Sequence, residues 1–150
     1  PRARGSTELA RLKDRLEGAD LVDTLYNDRD NVLVQVYPVG NDEGTYPKLE
    51  RLNIYTRGRS VLARAPVLNA SFLADQQGNV RFAVGNTVEG ALKTYYRKDN
   101  RDKWRLLNDE SESGINILPQ AFTVDGSRAL LFTEEKSGPG SVVEWDPASN

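Results

Sequence analysis

Ala70-Ser71-Phe72-Leu73-Ala74-Asp75, followed by Val80-Arg81-Phe82, returns later in the chain as Gln120-Ala121-Phe122-Thr123-Val124-Asp125 followed by Leu130-Leu131-Phe132. Phe72 to Phe122, Asp75 to Asp125 and Phe82 to Phe132 are each 50 residues apart. The next stretch keeps nearly the same spacing, since Thr94-Tyr95-Tyr96-Arg97 matches Val143-Glu144-Trp145-Asp146 at a shift of 49. One period upstream, Asp23-Thr24-Leu25-Tyr26 precedes Val32-Leu33-Val34, and Val32 to Val80 is 48. Self-similarity at such a period marks a repeated supersecondary unit.

The unit is built from strands. Val32, Val34 and Val36 alternate with Leu33, Gln35 and Tyr37, and Val80, Phe82 and Val84 alternate with Arg81, Ala83 and Gly85. Turn-forming pieces separate these runs: Asn27-Asp28-Arg29-Asp30-Asn31, Asp75-Gln76-Gln77-Gly78-Asn79 and Asp125-Gly126-Ser127-Arg128. Strands are predicted near 21–26, 32–37, 48–56 and 60–66, then near 68–73, 80–85, 91–97 and 103–107, then near 117–122, 128–134 and 141–146.

Four short strands per 40–50 residues is the pattern of a β-propeller blade. The expected fold is all-β, a partial β-propeller of about three four-stranded antiparallel blades. Blade 1 spans 19–66, blade 2 spans 67–116 and an incomplete blade 3 spans 117–150. Phe72, Phe82, Tyr96, Phe122, Phe132 and Trp145 are expected to fill the layers between blades. A β-sandwich or closed barrel is the competing architecture, because short strands with regular turns suit both. An N-terminal arm and helix precede the strands over residues 1–18. Ser6 or Thr7 caps the helix, Leu9, Leu12 and Leu16 share one face, and Gly18 stops it. The first residue is Pro1, and Trp145-Asp146-Pro147-Ala148-Ser149-Asn150 resembles the turn Tyr55-Thr56-Arg57-Gly58 between third and fourth strands. A section of a longer chain is therefore expected, with self-association covering the exposed blade faces.

Composition narrows the chemistry. The 150 residues carry 20 Lys+Arg against 22 Asp+Glu, a formal charge of −2, and contain no Cys, Met or His. Zero Cys removes disulfides, thiolate metal sites and a Cys nucleophile from these residues, and zero His removes imidazole ligands and every triad that uses a His base. The charge balance argues against duplex nucleic acid as a partner. No apolar run approaches the roughly 20 residues of a membrane span.

Each motif with a chemical reading has a plainer structural one. Gly58-Arg59-Ser60 lacks the second Gly of a nucleophile elbow and sits between strands, so it is a hairpin turn. Gly138-Pro139-Gly140-Ser141 lacks the spacing and Lys of a phosphate loop. Asp109-Glu110 and Glu134-Glu135 are adjacent carboxylates, and adjacent strand residues point to opposite faces, which does not make a glycosidase pair. Asp28-Arg29-Asp30-Asn31 lacks the Gly and distal Glu of an EF-hand loop and reads as a turn. Asn69-Ala70-Ser71 is a glycosylation sequon on an expected strand. Tyr55, Tyr95, Tyr96 and Trp104, near Arg97 and Lys103, fall on different faces, which disfavours stacking on single-stranded nucleic acid. No catalytic, cofactor-binding or metal-binding residue is assigned, no cofactor is expected, and substrate-binding residues are left unassigned.

Val32-Leu33-Val34-Gln35-Val36-Tyr37 and Tyr46-Pro47-Lys48-Leu49-Glu50-Arg51-Leu52-Asn53-Ile54 resemble the propeller of bacterial prolyl-oligopeptidase-type serine peptidases. The stretch from Val61 to Asp75 and the stretch Trp104-Arg105-Leu106-Leu107-Asn108-Asp109-Glu110 resemble segments of the dipeptidyl and acylaminoacyl peptidase branch. The resemblance covers residues 19–149. It implies a propeller set over a C-terminal α/β-hydrolase domain that carries Ser, Asp and His in that order, with the Ser on a G-x-S-x-G elbow. That domain would be this chain's partner. The propeller would gate access for short peptide substrates, in the bacterial cytoplasm or periplasm, and would not itself be catalytic. The alternative is a stand-alone propeller that serves as a protein-interaction scaffold without enzyme activity.

Overall fold

The computed structural model describes residues 16–39, 44–135 and 137–149. In chain order the elements are β1 (Glu17–Asp23), β2 (Asn31–Pro38), β3 (Lys48–Asn53), β4 (Arg59–Arg64), β5 (Ser71–Ala74), β6 (Val80–Asn86), β7 (Leu92–Tyr96), β8 (Arg105–Asp109), a single helical turn α1 (Glu110–Ser113), β9 (Ile115–Phe122), β10 (Ala129–Glu135) and β11 (Ser141–Trp145). They form three sheets in which every strand pairs antiparallel with its neighbour in sequence: β1-β2-β3-β4, β5-β6-β7-β8 and β9-β10-β11. The described strands do not join into a closed barrel. No helix among the described residues is long and apolar enough to cross a membrane.

Short polar side chains set the hairpins. Asp75 Oδ1 accepts from the backbone N–H of Gln77 at 3.0 Å and of Asn79 at 2.9 Å, between β5 and β6. Asp125 Oδ1 accepts from the Ser127 N–H at 3.0 Å between β9 and β10. Asn53 Oδ1 accepts from Tyr55 and Thr56 at 3.1 and 2.8 Å between β3 and β4. An Asp or Asn that bonds the backbone two residues on closes a turn without help from tertiary packing. Gly78 and Gly126 complete the two Asp turns at φ of +78° and +69°, where a side chain would be strained.

The first and second sheets pack face to face. Leu33, Leu49 and Ala63 meet Phe72, Ala74, Val80 and Ala83, with Trp104 at the margin. Trp104 donates its indole N–H to the Arg64 carbonyl at 3.0 Å. Arg97 ties the same interface. Its Nη2 donates across to the Leu62 carbonyl of β4 at 3.4 Å, while its Nε donates to the Val80 carbonyl at 2.7 Å, Nη2 also to Asn100 Oδ1 at 2.9 Å, and its guanidinium lies 4.5 Å from the Trp104 ring centre. Burial pulls its pKa below the ordinary arginine value, with Asp99 and Asp102 acting in the opposite direction.

The second and third sheets meet through aromatic rings. Phe82, fully buried, stacks on Phe122 at 5.4 Å, and Trp145 meets Tyr96 edge-on at 4.8 Å. Ala129 and Leu131 fill the remaining space. Thr94 donates its hydroxyl to the Ile117 carbonyl at 2.5 Å, joining β7 to β9.

Several expectations need correction. The helix over 6–18 falls on residues 6–15, which lie outside the described residues, and its last two positions are strand. Glu17 pairs with Pro38 across β1 and β2, and its carboxylate lies 3.2 Å from Lys48 Nζ. These partners are distant in sequence, and local helical spacing cannot show them. The second and third units meet at α1, with Asp109 as its N-cap and Gly114 left-handed at its end, so β9 begins at Ile115 rather than near 117. Phe132 is only half-buried. It lies on the outer face of the third sheet beside Leu118 and Val142, whereas Phe72, Phe82, Tyr96, Phe122 and Trp145 occupy the layers between sheets.

If the rings of the second layer hold the sheets together, Phe82→Ala costs about 3–5 kcal/mol through lost burial and the cavity left behind. Val124→Ala, at an exposed turn position, stays within about 0.5 kcal/mol. Urea unfolding of both variants measures this, and a Phe82→Ala cost no larger than that of Val124→Ala contradicts the packing account.

Candidate functional site

A cleft of about 710 Å³ opens between the turn ends of the second and third sheets. A β-bulge aims its central residue. Leu73 pairs with Phe82 but Ala74 pairs with Val80, so Arg81 is the extra residue on β6. An extra residue in one strand breaks the alternation and redirects a side chain. Arg81 therefore leaves by the same face as Phe82, toward the third sheet, while Val80 packs against the first.

The Arg81 guanidinium is buried beneath the cleft. Its Nη1 donates to the Gly126 carbonyl of the β9–β10 turn at 2.5 Å, and its Nη2 donates to the Tyr96 hydroxyl at 2.6 Å. Asp75 Oδ2 lies 3.7 Å from Nη1, and the Phe122 ring centre is 4.7 Å from the guanidinium carbon. Nε is buried without a hydrogen-bond partner. A buried cation needs such neighbours, since an unpaired one costs several kcal/mol. Arg81 thus joins the turns of two sheets through one side chain.

Above it the walls differ in charge. The second sheet and its loops supply Lys98, Arg105 and Asp102, and the third supplies Asp125 and Asp146. Arg105 lies over Tyr96 with its guanidinium carbon 5.3 Å from the ring centre. Asp102 is used within its own loop, accepting from the Lys98 and Lys103 N–H groups at 3.2 and 3.0 Å. Asp125 is held ionised, its pKa lowered from 3.8 to about 2, first by the Thr123 hydroxyl at 2.6 Å and then by the Ser127 N–H and hydroxyl. Asp146 Oδ1 accepts from the Ala148 N–H at 2.8 Å.

The residues singled out in the sequence take other places. Asp109 caps α1 and receives the Lys93 ammonium at 2.7 Å, which holds its pKa below the ordinary carboxylate value. Glu110 accepts from the Leu92 N–H at 2.9 Å. Both carboxylates are thus bound into the structure, and Glu134 and Glu135 are exposed on β10. Asp28 is bound by Asn31 Nδ2 at 2.9 Å to each oxygen. No group of three or more acidic residues among the described residues is arranged to hold a metal ion. Ser60 stands exposed on β4 after the Asn53–Gly58 hairpin. Asn69 of the sequon sits at φ +50° and accepts from the Thr45 N–H at 3.0 Å. Tyr95 packs toward the first sheet and Tyr96 toward the third, as alternation requires.

No protein-family model matches the chain, and neither does any curated protein or solved structure.

The Asp125 turn sets an acid limit on one wall. Its carboxylate is stabilised in the folded state, so its contribution is complete above the ordinary value of 3.8 and is lost as pH falls toward about 2. Asp125→Asn removes that part of the pH dependence. Tm measured between pH 6 and pH 2 then falls less steeply for the variant, and parallel curves contradict the assignment.

Proposed function

We propose that the chain is a section of a β-propeller, and that it serves as the non-catalytic, access-controlling part of a prolyl-oligopeptidase-type serine peptidase. The propeller reading is carried by one observation: three consecutive antiparallel meanders stack face to face, and Phe72 and Phe122, 50 residues apart, each fill the layer against the preceding sheet. A sheet with two apolar faces stays in water only between neighbours, and radial repetition is one way to supply them. A sandwich would pair two sheets and bury one face of each. Here the second sheet is covered on both faces, by the first through Phe72 and Val80 and by the third through Phe82 and Tyr96.

The peptidase reading rests on the resembling segments. They form β2, β3, β4 and β5 and the β8–α1 junction, which are the framework of the first two sheets. With no His and no Cys in its sequence, the chain has no means of its own to run a Ser-His-Asp or Cys-His mechanism. In this reading chemistry belongs to an α/β-hydrolase domain, and these sheets restrict which peptides reach it.

The gene around these codons tests the proposal. Further four-strand units followed by a G-x-S-x-G domain with Asp and His after the Ser are expected. Further units with no such domain contradict it. The pure chain is expected to give no turnover of dipeptidyl or acyl-peptide chromogenic substrates, and measurable turnover that survives repurification contradicts the non-catalytic assignment.

A further inference from the structure

We propose that the cleft between the second and third sheets binds a small zwitterion, an amino acid or short peptide with both termini free. Its carboxylate lies toward Lys98 and Arg105 and its ammonium toward Asp125 and Asp146. The cleft is large enough for a few residues, at about 710 Å³. Its charges are sorted by wall. On the second-sheet side Asp75 lies against Arg81 and Asp102 is held by its own loop, so the cations Lys98, Arg105 and Arg81 outnumber the two carboxylates. Lys98 and Arg105 are exposed, with no ion pair among the described residues, above the buried guanidinium of Arg81. The opposite wall presents two carboxylates to the cleft, and the cation beside them, Arg128, stands outside the lining and is paired with Glu144. No hydrogen bond or ion pair spans from Lys98 or Arg105 to Asp125 or Asp146.

The groups are also positioned in advance. Arg105 rests on the Tyr96 ring, and the planar guanidinium fork suits a two-oxygen carboxylate. The Tyr96 oxygen already accepts from Arg81, so its own O–H remains available as a donor. Asp125 is fixed by Thr123 and Ser127 and stays charged well below neutral pH. Held side chains lose less rotamer freedom when a ligand arrives. The inference does not rest on the peptidase reading, because binding is read on the chain itself.

Trialanine, its N-acetylated form and its C-terminal amide, titrated into the ¹⁵N-labelled chain, test it by NMR. Saturable shifts at Tyr96, Arg105 and Ser127 are expected with trialanine. Each blocked form should bind about fivefold more weakly, the size of one partly exposed charge contact. Arg105→Gln should reduce the preference over the amide, with Lys98 left to hold the remainder, while keeping the preference over the acetylated form in full. Asp146→Asn should do the reverse. Both residues are near the surface, so neither change removes core packing, and unchanged Tm confirms this. Alanine titrated in parallel separates an amino acid site from a peptide site. No saturable shift, equal affinity for the three peptides, or a variant that keeps its matched preference in full overturns the proposal.

Discussion

The second sheet has two apolar faces, and among the described residues no helix covers either, so its stability depends on the sheets on both sides. Phe82 and Tyr96 on one face and Phe72, Val80 and Ala83 on the other are buried only because the third and first sheets press against them. At roughly 25 cal/mol per Å² of apolar surface removed from water, each large ring contributes a few kcal/mol. No single meander buries enough surface to offset the ordering of its backbone. The stack is therefore the cooperative unit, and the tight ring contacts around Phe82 fix how closely the second and third sheets approach.

That approach creates the polar requirement met by Arg81. Once the Asp75 and Asp125 turns are brought together, the Gly126 carbonyl and the Tyr96 hydroxyl lie at the edge of the aromatic layer and need partners. The bulge on β6 delivers a guanidinium to both. Its bonds to charged or carbonyl groups are worth about 1.5–3 kcal/mol each when buried, against a cost of about 1–3 kcal/mol for the unpartnered Nε. The balance is modest, so Arg81 acts more on geometry than on stability. It sets the spacing of two turns and thereby the width of the cleft above them.

Much of this architecture is legible in the sequence, and the parts that are not share one cause. The repeat, the eleven strands and the Asp turns are local features, which spacing and turn chemistry capture. The bulge is not, because period-two reading puts Arg81 and Phe82 on opposite faces and Val80 and Phe82 on the same one. Only pairing with β5 shows the extra residue. Glu17 and Gly18 fit a helix end by local pattern, yet their partners are Pro38, Tyr37 and Lys48 across the sheet. The cleft is hidden for the same reason. Lys98, Arg105, Asp125 and Asp146 are scattered through loops of ordinary polarity, and the sorting of their charges by wall exists only when two sheets are set side by side.

This separation also explains how a repeated scaffold can carry a site without any motif. Layer positions such as Phe82 and Leu131 are constrained by packing, where a change of one methylene is felt. The turn ends need only an Asp or Asn to close each hairpin, and their remaining side chains face solvent. Charge at those positions can vary from repeat to repeat at little cost in stability. Where two unlike turns meet, as the Lys98–Asp102 loop meets the Asp125 and Asp146 turns, the variation becomes a polarised cleft. The chemistry of such a protein is therefore set by which turns the stacking makes neighbours, and a search for fixed spacings along the chain passes over it.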